Sequence, residues 1–195
     1  RMVIAQLLPD ARVEVLEDLH QTVLIGHDTF TNGKIAKKAM LSAIAVLRDY
    51  SAVLQSYNIT KTRIVATSAV REAANADVFL DRVLSATGME VEVIDTSEES
   101  RLIVSSIFRL FDSHDKFMKG NVLVAVAGGG NTILTILHDG DIVASYTIGL
   151  GAVKLLEEYY SWQTGWDEVY RQAEYRLSTF VDSVRSVLDL DEIDK

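Results

Sequence analysis

A run of three glycines, Gly128, Gly129 and Gly130, is followed by Asn131 and Thr132 and lies between two apolar segments. Glycine has no Cβ, so its backbone can adopt left-handed torsion angles and approach a ligand closely. Successive N–H groups in such a turn can hold an anion, and the Asn131 and Thr132 side chains could add donors. The segment therefore predicts either a phosphate-binding loop or a flexible hairpin turn, and the residues alone leave both open.

Arg71 lies in the segment at residues 67–73, directly after a short predicted strand at residues 63–66. In open α/β sheets, ligands bind at the carboxyl ends of the strands. A guanidinium at that place could bind two phosphate oxygens at once. The alternative is a surface arginine at the start of a helix, and the segment taken by itself favours that alternative.

Glu99 belongs to an acidic segment at residues 96–101. A carboxylate at this position could act as a general base that activates a water molecule. Thr96 and Glu99 also have the spacing of a capping box, in which the glutamate bonds back to the N–H group that begins the helix. Taken by itself, the spacing favours the cap.

A second glycine-containing segment, residues 148–153, leads from an apolar run into a helical pattern. Gly149 and Gly151 could let a helix present its N-terminus to an anion. They could instead let the helix pack closely on a sheet, and the pattern favours this packing.

The elements that must position these residues alternate between strands and helices, which predicts an α/β fold with some parallel pairing. Asp139-Gly140 between two apolar runs predicts a hairpin turn. Residues 25–33, which contain two glycines, Asp and Asn, predict a loop. Strands are predicted at 2–8, 12–24, 63–66, 91–94, 122–126, 133–138 and 142–147, and helices at 35–57, 76–86, 98–111, 152–160 and 167–188. A shift in composition predicts a domain boundary near residues 115–120.

Composition excludes several classes of protein. Of the 195 residues, 48% are hydrophobic and 24% charged, which is typical of a globular domain and not of a disordered one. The chain has no cysteine, and its four histidines lack metal-ligand spacing with one another. The net charge of −9 argues against non-specific nucleic-acid binding. We see no transmembrane segment or signal peptide, and therefore expect a cytoplasmic protein without a membrane partner.

In this order and at these spacings, the segments resemble the Ppx/GppA family of exopolyphosphatases and guanosine pentaphosphate phosphohydrolases. The resemblance covers essentially the whole chain. Residues 66–75 (ATSAVREAAN) resemble the family's ATSAxREAxN, and residues 98–103 (EESRLI), after the strand VEVI, resemble EEARLI. Residues 128–132 (GGGNT) resemble GGGST, and residues 150–155 (LGAVKL) resemble LGAVRL. Residues 30–33 and the helix after them also fit the family.

The resemblance implies an actin-like ATPase (ribonuclease H-like) fold of two domains, here residues 1–117 and 118–195, with the active site in the cleft between them. It implies hydrolysis of terminal phosphoanhydride bonds in polyphosphate or pppGpp, assisted by Mg²⁺, in a cytoplasmic protein that could form homodimers. Glu99 would activate the attacking water, and Arg71 would contact phosphate. The phosphate cradle would be formed by Gly128, Gly129, Gly130, Asn131 and Thr132.

The chain departs from the family pattern at Val126, where the family has an Asp that helps to hold the divalent cation. The family's DxGSN loop would precede residue 1 and its later GGT segment would follow residue 195, so we expect a pattern truncated at both ends. An alternative is a catalytically impaired homologue that binds (p)ppGpp or another phosphorylated ligand as a regulator. A third is an actin-like domain that acts in assembly.

Overall fold

Seven strands form three sheets in the part of the chain that the computed structural model describes, residues 1–10, 12–108, 119–162 and 165–185. The strands are β1 (Met2–Leu7), β2 (Val13–Leu19), β3 (Val65–Ala66), β4 (Glu92–Val93), β5 (Asn121–Ala127), β6 (Thr132–His138) and β7 (Asp141–Ile148). β1 and β2 form an antiparallel pair, β3 and β4 a parallel pair, and β5, β6 and β7 an antiparallel sheet in that order.

The helices of the same described residues lie close to the predicted positions. They are α1 (Ile25–Asn32), α2 (Lys37–Ser56), α3 (Ser68–Arg71), α4 (Ala76–Thr87), α5 (Thr96–Phe108), α6 (Ala152–Trp162) and α7 (Trp166–Arg185). Strand β2 is shorter than predicted, and the one-turn helix α3 ends at Arg71, whereas the sequence favoured a helix that begins there. The predicted ends of the α5 and α7 helices, residues 109–111 and 186–188, lie outside the described residues.

The prediction of a loop at residues 25–33 was wrong, because this segment forms helix α1. Gly33 ends the helix in the left-handed conformation, with φ 70°, and its N–H donates to the Thr29 carbonyl. The helix packs against α3 and α6, and Thr29 is buried. Tertiary packing thus overrides the weak helix propensity of the Gly, Asp, Thr and Asn residues.

Two predicted features of the sheets are confirmed. Val65 pairs with Glu92 and Ala66 with Val93 in parallel register, so the first part of the chain has the expected parallel pairing. Asp139 and Gly140 both have positive φ, 48° and 91°, as a tight two-residue hairpin requires.

The larger apolar core lies around α2 and α4. It contains Ile35, Met40, Ala43, Ile44, Val70, Ala73, Phe79 and Val83. Val70 belongs to α3, so this core anchors the helix that ends at Arg71. A smaller cluster joins α5 to the three-stranded sheet through Val104, Val122 and Leu137. The helix that carries Arg71 and the helix that carries Glu99 are therefore both anchored by buried apolar residues.

Residues 115–118 of the predicted domain boundary at 115–120 lie outside the described residues, so the boundary stays a prediction. No helix in the described ranges is long and apolar enough to cross a membrane.

Candidate active site

The three glycines form the turn between β5 and β6, which the Gly128 N–H closes by donating to the Asn131 carbonyl at 2.8 Å. The left-handed torsion angles that glycine allows are not used, because none of the three has a φ in that region. The lack of space for a side chain explains why residue 130 is glycine. A Cβ on Gly130 would lie 2.5 Å from Cζ of Phe30 and 2.8 Å from Oγ of Ser68. The turn therefore needs glycine where α1 and α3 press against it.

The start of α6 is packed onto the glycine turn. The Gly128 carbonyl accepts a hydrogen bond from Ala152 N–H, and the Gly129 carbonyl accepts from Val153 and Lys154 N–H at 2.9 to 3.1 Å. These bonds use the donors that an anion at this helix terminus would need. The close-packing interpretation of residues 148–153 is thus the one that agrees with the structure.

Several donors at the glycine turn remain unused. The N–H groups of Gly129 and Gly130 have no acceptor among the described residues, and Gly129 is exposed. Asn131 is 6% exposed, and its side chain makes no hydrogen bond within the described part of the chain. A buried amide without a partner in the protein is uncommon, and a polar ligand is one explanation for it. Thr132 differs, because its hydroxyl donates to the Leu150 carbonyl at 2.5 Å and so links β6 to the turn before α6.

Arg71 and Glu99 lie together at the carboxyl ends of β3 and β4. Because the two strands are parallel neighbours, the segments after them meet at one edge. Nη1 and Nη2 of Arg71 both donate to Oε2 of Glu99 at 3.2 Å, and Nη1 also donates to the Ile94 carbonyl at 2.7 Å. The side chains are 22% and 18% exposed, so this ion pair is reachable but partly desolvated.

The capping-box interpretation of Thr96 and Glu99 was wrong. Asp95 caps α5 instead, since its carboxylate accepts the Glu98 N–H at 2.8 Å. The Glu99 carboxylate bonds to Arg71, which is 28 residues away in sequence. The neighbouring Glu98 points elsewhere, and hydrogen bonds from Arg101 and Arg63 lower its pKa to about 2. Only Glu99 of this acidic pair therefore faces Arg71.

The structure thus brings the predicted residues together in two groups. Arg71 pairs with Glu99, while the glycines, Asn131 and Thr132 share one turn. Ser68 connects the groups, since it contacts Gly130 and begins the helix that ends at Arg71. Its hydroxyl is buried and has no hydrogen-bond partner within the described ranges.

Sequence reasoning missed three residues around this turn. Ser68 lies inside the segment that was singled out for Arg71, so its position was the available signal. Nζ of Lys154 lies 3.5 Å from the Glu72 carboxylate and 5.8 Å from the centre of the Phe30 ring. Neither Lys154 nor Phe30 carries a pattern that predicts this contact.

A family model described as the Ppx/GppA phosphatase family matches residues 3–187. The chain belongs to the Ppx/GppA phosphatase family. Exopolyphosphatase 2 of Mycobacterium tuberculosis is 32% identical over 150 residues, which cover 73% of this chain and 46% of that protein. Guanosine-5'-triphosphate,3'-diphosphate pyrophosphatase of Photobacterium profundum is 28% identical over 148 residues, which cover 76% of this chain and 29% of that protein.

Solved structures confirm the predicted fold. An exopolyphosphatase from Cytophaga hutchinsonii matches with a TM-score of 0.71 at 25% identity, over 80% of this chain and 48% of that one. This Ppx/GppA chain therefore has the actin-like ATPase fold. It spans less than half the length of each of these three proteins.

The residues of this Ppx/GppA chain do not fit a magnesium site held by the protein. The side chain of Val126, at the position of the family's Asp, offers no oxygen ligand. No group of three or more His, Asp or Glu side chains among the described residues is arranged to hold a metal ion. Glu99, the carboxylate at the candidate site, is paired with a guanidinium. Mg²⁺ prefers several oxygen ligands, often including substrate phosphates, and this donor set does not supply them from the protein.

Proposed function

We propose that this chain is a phosphohydrolase domain that removes the terminal phosphate from inorganic polyphosphate or pppGpp. The observation that carries the proposal is the Arg71–Glu99 pair, a candidate phosphate-binding cation and a candidate base whose charged atoms lie 3.2 Å apart. The glycine turn is connected to this pair by Ser68, which contacts Gly130 and begins the helix that ends at Arg71. The names of the M. tuberculosis and P. profundum relatives support this class of substrate. Mg²⁺ dependence, homodimers and a cytoplasmic location stay predictions from the resemblance.

Arg71 would control when Glu99 can act. Without substrate, its guanidinium holds the Glu99 carboxylate. A terminal phosphate carries more charge and more acceptor oxygens than one carboxylate, so it would compete for Nη2. The bond from Nη1 to the Ile94 carbonyl would keep the guanidinium oriented during this exchange. Binding of substrate would thus release the carboxylate that the reaction needs.

The released carboxylate of Glu99 would accept a proton from a water molecule as the water oxygen bonds to the terminal phosphorus. The bond from this phosphorus to the bridging oxygen breaks, and its electron pair leaves with the shortened polyphosphate or nucleotide. The Gly129 and Gly130 N–H groups and the Asn131 amide would donate to the oxygens on which charge develops. Such local donors matter because the chain's net charge of −9 does not attract a polyanion.

The test is release of inorganic phosphate from polyphosphate and from pppGpp, with Mg²⁺ present, in the wild type and Glu99→Gln. We expect kcat to fall at least about 100-fold in Glu99→Gln, because the variant cannot accept the proton. Glu98→Gln is the matched control, since Glu98 pairs with Arg63 and Arg101 and not with Arg71. Equal losses in the two variants would contradict the role of Glu99.

A second function is favoured by Val126 and by the lack of a three-ligand metal cluster in the described residues. The chain would then bind (p)ppGpp or another phosphorylated ligand without turning it over. Phosphate release measured in the wild type and in Val126→Asp distinguishes the two functions. Turnover in the wild type supports the hydrolase, whereas turnover that appears only in Val126→Asp supports a binding protein derived from an enzyme. No turnover in any folded variant would overturn the catalytic proposal.

A further inference from the structure

Three hydroxyl groups form a chain between α5 and the three-stranded sheet. Oγ of Ser100 lies 2.8 Å from Oγ of Ser145, which lies 3.2 Å from Oγ1 of Thr135. Ser100 and Thr135 are 3% and 1% exposed, whereas Ser145 is exposed. The chain therefore crosses from a buried helix face to a buried strand position through one exposed residue.

Each hydroxyl has a single proton to donate, and this gives the hydroxyl chain a direction. Ser100 donates its single hydroxyl proton to the Thr96 carbonyl at 2.9 Å, so it can only accept from Ser145. Ser145 then accepts from Thr135. All three protons are used, and the sequence of donors runs from β6 through β7 into the first turn of α5. A network in which every buried member is satisfied restrains the elements that it joins.

The two ends of the hydroxyl chain lie on the elements that carry the two groups of the candidate site. Thr96 and Ser100 bracket the first turn of α5, which carries Glu99. Thr135 and Ser145 are cross-strand partners on β6 and β7, and β6 begins directly after the glycine turn. The hydroxyl chain thus connects the helix of the candidate base to the sheet of the candidate phosphate loop.

We propose that Ser100 is a positioning residue, which sets the place of Glu99 relative to the glycine turn through Ser145 and Thr135. This inference rests on the proposed function, because the spacing matters only if both groups act on one phosphate. Ser100 itself touches no reacting atom, and its effect passes through the helix.

The experiment measures kcat and KM for phosphate release in Ser100→Ala, Ser145→Ala and the double variant. Each single variant is expected to lower kcat about five-fold, the scale of one hydrogen bond, with little change in KM. The double variant is expected to lose no more than either single variant, because both break the same chain. Ser145 is exposed, so Ser145→Ala leaves no buried cavity and tests the inference even where Ser100→Ala folds poorly.

Ser106→Ala is the matched control, since Ser106 lies on the same helix, is exposed and bonds only to the Leu102 carbonyl within the described residues. It is expected to leave kcat unchanged. Losses that multiply in the double variant, or a kcat unchanged by Ser100→Ala and Ser145→Ala, would overturn the inference while turnover that depends on Glu99 leaves the proposed function standing. A wild type without turnover would overturn both.

Discussion

The edge where Arg71 meets Glu99 and the turn that holds Gly130 are built in opposite ways. At the edge, two side chains hold each other by charge and remain partly open to solvent. At the turn, atoms of neighbouring elements approach so closely that a Cβ has no room at Gly130 or at Gly151. The first region should therefore respond to changes of charge at constant shape, and the second to changes of shape at constant charge.

The largest effect is expected at Gly151, which belongs to the second region. A Cβ there would lie 2.3 Å from the Gly129 carbonyl oxygen and 2.5 Å from the Asn131 nitrogen. Both are backbone atoms of a turn that is held at each end, so they cannot move aside as a flexible side chain can. Gly151→Ala should lower the free energy of unfolding by about 3 kcal/mol or more, as measured by urea denaturation.

Gly149→Ala is the matched control for this prediction. Its Cβ would meet only the end of the flexible Lys154 side chain, 3.8 Å away, so its cost should stay below about 1 kcal/mol. Equal costs at Gly149 and Gly151 would mean that close packing does not explain the second glycine.

An intermediate effect is expected from Arg71→Lys in the first region. Lysine keeps the charge but loses the fork that reaches Glu99 and the Ile94 carbonyl together. Under the proposed function, KM for polyphosphate should rise about ten-fold, the worth of one charged hydrogen bond. Arg63→Lys is the control, because Arg63 makes a similar fork with Glu92 away from this pair. A similar rise in both variants would show that the fork at Arg71 has no special part in binding.

The same contrast explains what could be predicted from the sequence. Parallel pairing of β3 with β4 followed from short apolar runs separated by a helix, and the hairpin at Asp139 followed from local turn chemistry. The capping box failed because Glu99 has a partner 28 residues away, which local spacing does not reveal. The prediction of a loop at residues 25–33 failed for a related reason, since helix α1 is stabilised by packing on α3 and α6.

The glycine turn could be located from the sequence, but the reason for its glycines could not. Three glycines in a row suggested left-handed torsion angles or approach by a ligand. In the structure, Gly130 instead gives room to Phe30 and Ser68, which lie about 60 to 100 residues earlier in the chain. A steric requirement between distant segments leaves the same glycine in the sequence as a requirement for binding.

The smallest effect is expected where helix α1 meets α6 through charge. Nδ1 of His27 lies 2.6 Å from the carboxylate of Glu157, which is buried. This hydrogen bond and the attraction of the carboxylate raise the pKa of His27 despite some desolvation. A raised folded-state pKa means that protonated His27 stabilises the fold fully below its unfolded pKa of about 6.5. The contribution is lost as the pH rises through the higher folded value.

The free energy of unfolding should therefore fall as the pH rises from about 6 to 8. The fall should be less than about 1 kcal/mol, because the His27 side chain is 52% exposed and its charge is screened by solvent. Urea denaturation across this range measures it in the wild type and in His27→Gln, where this part of the slope should vanish. His20→Gln should keep the slope, since His20 lies beside Asp18 on the exposed β1–β2 hairpin. An unchanged slope in His27→Gln would mean that α1 is held on α6 by packing alone, as Phe30 is held on Gly130.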